Sequence, residues 1–317
     1  MNQSSRHDRR LWTTSAFLAG ESARDIVAAA GELCAVAVFE RSFYAEDEEG
    51  RLVCFLCPDV EPGPINVLCR PWPTGLRNLV SEGDGFIVAG GCLVSSRFAI
   101  SSSELSVWMP SDPPPFDSRL ATRGVRELFR ELPSFVPPAC LLGVIDVGVP
   151  GLPASGYGEG GGGDILRNIL IREVTKGVRE LERWLGRGVD SPIGAVDLLL
   201  GLGEGLTPSG DDVLCGCLLA LSAIGLLAER DELARWVLMR AGDKTNRISI
   251  AHIGEAAKGY GAMALRETIT AVLKGGEGMR EILPGIANIG HTSGWDSMLG
   301  IIITLKSSVN DTTETAL

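Results

Sequence analysis

The first half of the chain alternates short apolar runs with polar turns. Between residues 30 and 110 the runs are LCAVAVFE, RLVCFLC, PINVLCR, GFIVAG, SRFAIS and SELSVWMP. The turns between them include EDEEG, EPGP, SEGDG and SDPPP. Runs rich in β-branched and aromatic residues, bounded by such turns, are typical of strands. Because they follow one another closely, this half predicts a β-barrel or a β-sandwich rather than βαβ units.

The second half has a helical period instead. From Ile165 to Leu185 the apolar residues recur at spacings of three and four, with charged residues between them. An earlier helix is predicted over Asp117–Glu131, and further helices over 194–200, 211–228, 231–241, 249–258, 262–273 and 295–306. The predicted fold class is α+β, with a β-rich N-terminal barrel or sandwich-like domain followed by a mostly α-helical C-terminal domain.

A glycine-rich stretch separates the two patterns. The segment LPASGYGEGGGGDILRN includes the glycine run at 158–163 and ends where the helical period begins. Successive glycine amides can cradle phosphate, but the stretch lacks the Lys-Ser/Thr of a P-loop and a GxGxxG after a strand. A flexible linker with Asp164 as helix N-cap is favoured. The predicted organisation is a disordered tail at 1–12, a β-rich domain at 13–150, a linker at 151–164 and a helical domain at 165–317.

Composition and charge exclude some partners. The chain has 317 residues, 45% of them hydrophobic and 22% charged, which is the balance of a soluble globular protein. Its formal net charge of −11, with no Lys/Arg-rich run, argues against a nucleic-acid partner. No signal peptide is recognised at the N-terminus. The longest apolar run, Val213–Ala228, is shorter than the ~20 residues of a membrane-spanning helix, so a buried helix is predicted and an interfacial or membrane role is the alternative.

The cysteines indicate the compartment. Eight cysteines are scattered along the chain without the framework of a small disulfide-rich domain. Cys54 and Cys57 form a C-x-x-C inside the strand-like run RLVCFLC. We interpret them as core residues of a strand, with a zinc or redox pair as the alternative. A cytoplasmic location is predicted.

A small polar cluster occurs twice in the helical half. GLGEGLTPSGDDVLCG runs from Gly201 to Gly216, and GHTSGWDSMLG runs from Gly290 to Gly300. Both contain Gly-x-Thr, then Ser-Gly-x-Asp, then a glycine four residues after the last Asp, and both precede an apolar helix. We call these two segments the paired motifs. Each has the composition of a helix N-terminus, and we predict that the two ends build one polar site.

The chemistry of that site depends on which of its groups face inward. Helix N-terminal amides favour anions, whereas adjacent carboxylates favour a cation or orient an amine. His291 adds an imidazole, a side chain type that can give or take a proton. The candidate catalytic residues are His291, Asp212 and Asp296. The candidate substrate-binding residues are Gly205, Thr207, Ser209, Gly210, Asp211, Thr292, Ser293 and Gly294. Caps without any function are the alternative, because these residue types suit any helix start.

Two polar features lie close to the paired motifs in sequence. His252 is interpreted as a core histidine with its hydrogen bonds satisfied. Arg247 belongs to a polar stretch before the helix that carries His252, where a solvated loop and an anion contact both remain open.

The paired motifs, after a β-rich half, resemble a bacterial and archaeal family long described as a domain of unknown function. That family includes the AllH subunit of oxamate carbamoyltransferase, from anaerobic allantoin degradation. The resemblance is sharpest at Gly203–Asp212 and Gly290–Asp296. It implies partner subunits, one of them similar to acyl-CoA synthetases, and a small substrate such as carbamoyl phosphate or oxamate.

The resemblance also implies a reaction, which is transfer of a carbamoyl group between phosphate and an amide-type acceptor. In that hypothesis Thr207, Ser209 and Gly210 bind phosphate or carboxylate, and His291 polarises the carbonyl. The aspartates of the paired motifs orient an amide or hold Mg²⁺; no cofactor is otherwise predicted. The Ser-Thr-Arg-Thr phosphate motif of ordinary carbamoyltransferases is absent from the sequence, so any common mechanism would be convergent.

Two other function classes stay open. A Mg²⁺-dependent hydrolase similar to ADP-ribosylglycohydrolases also uses aspartates at helix ends, with Asp211, Asp212 and Asp296 as the possible ligands. A non-catalytic subunit would bind a ligand and organise its partner chains. In that case Asp212→Asn would harm ligand affinity or assembly but not turnover.

Overall fold

The computed structural model describes residues 11–137, 140–143, 145–150, 152 and 165–314. The chain forms two compact units, which divide between Met109 and Pro110. The glycine run at 158–163 and most of the predicted tail lie outside the described residues. The tail differs from its prediction at the end that is described, because Trp12 begins the first strand.

The first unit is built from strands and one helix. Helix α1 covers Glu21–Ala29. The strands are β1 (Trp12–Gly20), β2 (Glu32–Val38), β3 (Ser42–Glu46), β4 (Leu52–Leu56), β5 (Asn66–Arg70), β6 (Gly85–Ala89), β7 (Cys92–Val94), β8 (Phe98–Ser101) and β9 (Ser106–Trp108).

These strands form a closed barrel, which confirms the predicted β-rich N-terminal domain. The order is β5-β4-β3-β2-β6-β7-β8-β1-β9, and an antiparallel pairing of β1 with β5 closes the ring. The first residues of β1 pair in parallel with β8, and its last residues pair in parallel with β9. Strand β9 therefore continues along the edge of β1 beyond β8, and β1 is covered on both sides.

The interior of the barrel is filled by aromatic rings. Phe43 stacks on Phe55 with ring centroids 4.8 Å apart and on Phe86 at 5.3 Å. Phe98 meets Phe43 edge-on at 6.2 Å. All four rings are buried, so this unit has a core of its own.

The predicted C-x-x-C lies in this unit. Cys54 is buried on β4, and burial raises the pKa of its thiol to about 12. Cys57 accepts a hydrogen bond from Arg41 Nε at 3.3 Å. Both thiols are free.

The second unit is helical, as predicted. Its helices are α2 (Ser118–Glu131), α3 (Ile165–Leu185), α4 (Ile193–Leu199), α5 (Ser209–Ala223), α6 (Leu227–Lys244), α7 (Arg247–Ala257), α8 (Met263–Leu273), α9 (Met279–Ile286) and α10 (Ser293–Glu314). Among the described residues, no helix combines the length and apolarity that crossing a membrane requires.

Helix α2 belongs to the helical unit, whereas the sequence predicted a β-rich domain as far as residue 150. Its Ala121 and Leu128 lie in the core of the helical unit. A Cβ on Gly124 would lie 2.0 Å from the carbonyl oxygen of Val272, so α2 packs closely against α8. Because this contact joins α2 to a distant part of the helical unit, the two units divide before α2 rather than at residue 150.

The apolar run Val213–Ala228 is split between two helices. Helix α5 is buried along almost its whole length, as predicted, but it ends at Ala223 rather than at residue 228. Gly225 has a φ of +81°, a conformation that ends a helix readily only at glycine. Helix α6 then begins at Leu227.

Candidate functional site

The paired motifs lie side by side in the folded chain, at the first residues of α5 and α10. The Thr207 hydroxyl, just before α5, and the Ser293 hydroxyl, at the start of α10, are joined by a hydrogen bond of 2.8 Å. Both helices are then buried, so their N-termini are held by packing along their length.

The closing glycine of each motif positions the two helices. A Cβ on Gly216 of α5 would lie 1.9 Å from the carbonyl oxygen of Ser297, the residue after Asp296. A Cβ on Gly300 of α10 would lie 2.0 Å from the carbonyl oxygen of Val213, the residue after Asp212. The contact is reciprocal, and it brings the backbones of α5 and α10 as close as helices can approach.

The hydroxyl groups of the paired motifs form hydrogen bonds with the two carboxyl groups in the same reciprocal way. Hydrogen bonding from Ser293 and Thr207 acts on Asp212, and hydrogen bonding from Ser209 and Thr292 acts on Asp296. Each aspartate is therefore approached by the threonine that precedes its own helix and by the serine of the other helix. The two motifs form a single site with internal two-fold character.

Each carboxyl group keeps one oxygen without a partner. Asp212 is 7% exposed and Asp296 is 1% exposed. The Oδ2 atoms of both are buried and accept no hydrogen bond from any described residue. Buried polar atoms are almost always satisfied, so two unsatisfied oxygens in one site are the feature that requires an explanation.

Burial also shifts the pKa values of these two carboxyl groups. It is the largest cause that raises the pKa of Asp212 well above its usual range, and the charge of Asp296 raises that pKa further. Burial likewise raises the pKa of Asp296, although the Ser209 hydroxyl and the Leu141 amide oppose the rise. The low-dielectric site therefore favours the neutral form of these carboxyl groups.

Asp211 has a different environment from its neighbour Asp212. Its carboxylate accepts the Gly201 amide at 2.6 Å, the Ser249 hydroxyl at 2.6 Å and a short hydrogen bond from the Thr245 hydroxyl. These bonds tie the start of α5 to the loop after α4 and to the start of α7. Both carboxylate oxygens of Asp211 are therefore occupied by hydrogen bonds that hold these segments together.

The three predicted metal ligands do not come together as one set. The oxygens of Asp211 are engaged as described, which leaves Asp212 and Asp296. Within the described part of the chain, no group of three His, Cys, Asp or Glu side chains has the placement to hold a metal ion. A Mg²⁺ ion here would take most of its ligands from substrate and water.

Two of the glycines predicted to bind substrate, Gly210 and Gly294, are required by packing. The Gly210 amide donates to the Leu202 carbonyl at 2.8 Å, and the Gly294 amide donates to the Ile289 carbonyl at 3.1 Å. A Cβ on Gly210 would lie 1.9 Å from the Leu199 carbonyl oxygen. These two amides are therefore not free for an anion. Gly205, with φ of +99° and open space around it, allows the turn before Thr207.

The predicted histidines lie in contrasting environments. His291 is exposed and directly precedes Thr292, so it stands at the rim of the site. His252 is half-buried on α7, where burial lowers its pKa to about 4. Asn246, directly before Arg247, is the N-cap of α7, and its side chain accepts hydrogen bonds from the amides of Ile248 and Ser249.

Sequence reasoning missed the segment that covers Asp296. The Leu141 amide donates to Asp296 Oδ1 at 3.2 Å. The neighbouring Cys140 is buried, and burial, with a further contribution from Asp296, raises the pKa of its thiol to about 11. No motif marks these residues, because their contact with Asp296 spans more than half of the helical unit.

The site offers hydrogen-bond acceptors and hydroxyls rather than positive charge. Among the described residues, no Lys or Arg side chain forms an ion pair with Asp212 or Asp296. An anionic group placed against the two carboxyl groups would have no compensating cation there, which is unfavourable in a buried site, so the carboxylate of an anionic ligand would have to lie away from them. A neutral group that carries N–H donors suits these atoms better.

The family comparison identifies the part of the chain that carries this site. The family model described as "Oxamate carbamoyltransferase subunit AllH" matches residues 199–305. The matched segment runs from the end of α4 into α10 and includes both paired motifs, which confirms the resemblance noted from the sequence. No solved structure matches the chain.

Proposed function

We propose, with the AllH match over residues 199–305 as the premise, that this chain is a carbamoyltransferase-type subunit. The paired motifs bind a small molecule that carries a carbamoyl or amide group, such as oxamate. The family is described as a subunit, which supports work with partner chains. The eight free thiols support a reducing cytoplasm as the place of action.

The two unsatisfied Oδ2 atoms of Asp212 and Asp296 carry this proposal. A neutral carboxyl group donates from its O–H and accepts at its carbonyl oxygen. A primary amide offers the complementary N–H donor and C=O acceptor, so acid and amide pair through two hydrogen bonds. The pKa of Asp212 is raised towards the neutral form that this pairing needs. A carbamoyl or amide group would therefore satisfy the atoms left open.

The same carboxyl group has a proton for the reaction. In the direction that yields carbamoyl phosphate, the substrate is oxamate that carries a carbamoyl group on its amide nitrogen. A phosphate oxygen attacks the carbamoyl carbon and gives up its proton to solvent, and the bond from that carbon to the amide nitrogen breaks, which releases oxamate. The leaving nitrogen takes the proton of Asp212, which becomes a carboxylate and regains a proton from solvent. General acid catalysis of this kind contributes about 10²–10⁴-fold in rate.

The remaining site residues orient the substrate in this proposal. Thr207, Ser209, Thr292 and Ser293 present hydroxyls around the two carboxyl groups. His291 at the rim donates to the developing carbonyl oxygen. The site has no described cation for phosphate, so phosphate is held by groups that a partner subunit contributes.

The experiment is an assay of carbamoyl phosphate formation with the purified chain and its co-purified partner subunits. We expect activity only when this chain is present, and Asp212→Asn to lower kcat at least about 100-fold. Asp243→Asn, on the exposed side of α6, is the matched control and should leave kcat unchanged. Full turnover with Asp212→Asn in the assembled complex would contradict a catalytic role and support a non-catalytic subunit.

A further inference from the structure

A cavity lies in the helical unit, and no residue of the paired motifs lines it. Its volume is about 430 Å³, within the range of about 300–1,000 Å³ that small-molecule sites occupy. Residues from the ends of α3, α5 and α10 and from the start of α6 line it. Trp184, Phe116 and Ile224 give it an apolar wall. Because α5 begins at the site of Asp212 and ends at Ala223, next to Ile224, one buried helix runs between the two places.

Arg187 lines this cavity in an unusual backbone conformation. Its φ is +57°, and it is the non-glycine residue with positive φ in the described chain. The amides of Arg187 and Gly188 donate to the carbonyls of Trp184 and Arg183, which is the Schellman arrangement that ends α3. That left-handed position normally holds glycine, because a side chain there is strained. An arginine between two glycines indicates that its side chain is needed.

The charged groups around the cavity are not neutralised by one another. Arg187, Asp190, Glu229 and Glu232 all line it, and none forms a side-chain hydrogen bond or ion pair with another described residue. Glu229 and Glu232 are three residues apart on α6, so they lie on the same face of that helix. The cavity thus combines one guanidinium, a carboxylate cluster and an aromatic wall.

We propose that this cavity binds a zwitterionic amino acid with a large apolar side chain. Arg187 takes the carboxylate through its planar donor fork, and Glu229 and Glu232 take the ammonium group. Trp184 and Phe116 contact the side chain. The proposal does not depend on the carbamoyltransferase function, because it uses none of the residues of the paired motifs.

The test is calorimetric titration of the full chain with L-phenylalanine, phenethylamine and 3-phenylpropionate. The two analogues lack the carboxylate and the ammonium group respectively. We expect L-phenylalanine to bind at least about tenfold more tightly than either, because each loses a charge-assisted hydrogen bond. Absence of binding at millimolar L-phenylalanine, or equal affinity for phenethylamine, would overturn the proposal.

Arg187→Gly separates binding from folding. Glycine relieves the strain of the left-handed position, so the variant should melt no lower than the native chain, while its affinity for L-phenylalanine falls at least about tenfold. Arg183→Ala is the matched control: Arg183 is one turn earlier on α3, pairs with Glu180 and does not line the cavity. Unchanged affinity in a folded Arg187→Gly variant would refute the assignment.

Discussion

Asp211 and Asp212 are neighbours in the chain with opposite tasks. Asp211 accepts three hydrogen bonds that hold the start of α5 in place. Asp212 keeps a buried oxygen without a partner among the described residues. The sequence predicted that both belong to a polar helix start. It could not separate them, because the bonds to Asp211 come from the loop after α4 and from the start of α7, far along the chain.

The two aspartates should therefore respond differently to the same substitution. Asp211→Asn removes an acceptor from two hydroxyls and an amide, and we expect it to lower the free energy of unfolding by roughly 1–3 kcal/mol. Asp212→Asn keeps the shape and removes a carboxyl group whose ionised form is costly to bury, so the ligand-free chain should be as stable as the native chain or more stable. Urea unfolding of both variants measures this. A larger loss for Asp212→Asn would contradict our assignment.

The pKa of Asp212 makes stability depend on pH. Its pKa in the folded chain is raised above the usual value of 3.8, so the folded state retains the proton more strongly than the unfolded state. Stability from this group is fully present below the unfolded pKa and is lost as pH rises towards the raised folded pKa. We expect the stability of Asp212→Asn relative to the native chain to increase as pH rises above the usual value of 3.8, until the raised folded pKa is passed. A difference that stays constant from about pH 3 upwards would show that the Asp212 pKa is not raised.

At the scale of elements, the crossing of α5 and α10 explains why the sequence repeats a glycine four residues after each aspartate. Gly216 and Gly300 each face a backbone carbonyl of the other helix. These glycines set the distance between the helices, and the distance brings the serine of one motif to the aspartate of the other. The repetition of the paired motifs in the sequence therefore has a packing cause as well as a chemical one.

Substitution at the crossing should be costly. Gly216→Ala places a Cβ 1.9 Å from the Ser297 carbonyl, so the helices must separate, and we expect a loss of about 1–3 kcal/mol in the free energy of unfolding. Gly242→Ala on α6 is the control, because a Cβ there meets nothing within 4 Å. It should instead stabilise by roughly 0.5–1 kcal/mol. Equal effects of the two substitutions in denaturant unfolding would rule out the close crossing.

Elements with strong local patterns could be predicted, and weak ones could not. The helix predicted over Asp117–Glu131 and the helix over Ile165–Leu185 are present, because their apolar periods are long. Helix α9 was missed since Pro284 lies inside it. Strand β7 is too short to be recognised, since it has three residues. Strand β1 is rich in Ser, Thr and Ala, so it does not resemble an apolar run. Strand β1 is instead specified by its hydrogen-bonded pairing with β5, β8 and β9.

At the scale of the whole molecule, the chain has two separate cores. The barrel core groups four phenylalanine rings with aliphatic side chains, and the core of the helical unit extends from α2 to α10 and includes Trp184 and Trp295. Units with their own cores fold independently in general. We expect the fragment 110–317 to unfold cooperatively by circular dichroism in urea, and to retain the ligand affinity of the full chain. A fragment without a cooperative transition would show that the helical unit depends on the barrel.

The site itself is a property of the whole helical unit. The sequence predicted that two helix ends converge. In the structure they lie together, so that Thr207 and Ser293 are hydrogen-bonded and each aspartate is approached by hydroxyls from both motifs. The sequence could not show that the Gly210 and Gly294 amides are already used, nor that Leu141 covers Asp296. Those contacts depend on which distant backbone groups pack against the motif, and a single sequence does not specify them.

The most direct measurement is the affinity of the full chain for oxamate compared with pyruvate, by calorimetric titration. The two anions are alike in shape and charge, and only oxamate carries amide N–H donors in place of a methyl group. We expect oxamate to bind at least about tenfold more tightly, because the methyl group of pyruvate leaves buried acceptors unsatisfied. A folded Asp212→Leu variant, which has neither the donor nor the acceptor, should lose most of that preference. Equal affinity for the two anions, or a preference that survives in Asp212→Leu, would contradict the claim that the carboxyl pair recognises an amide.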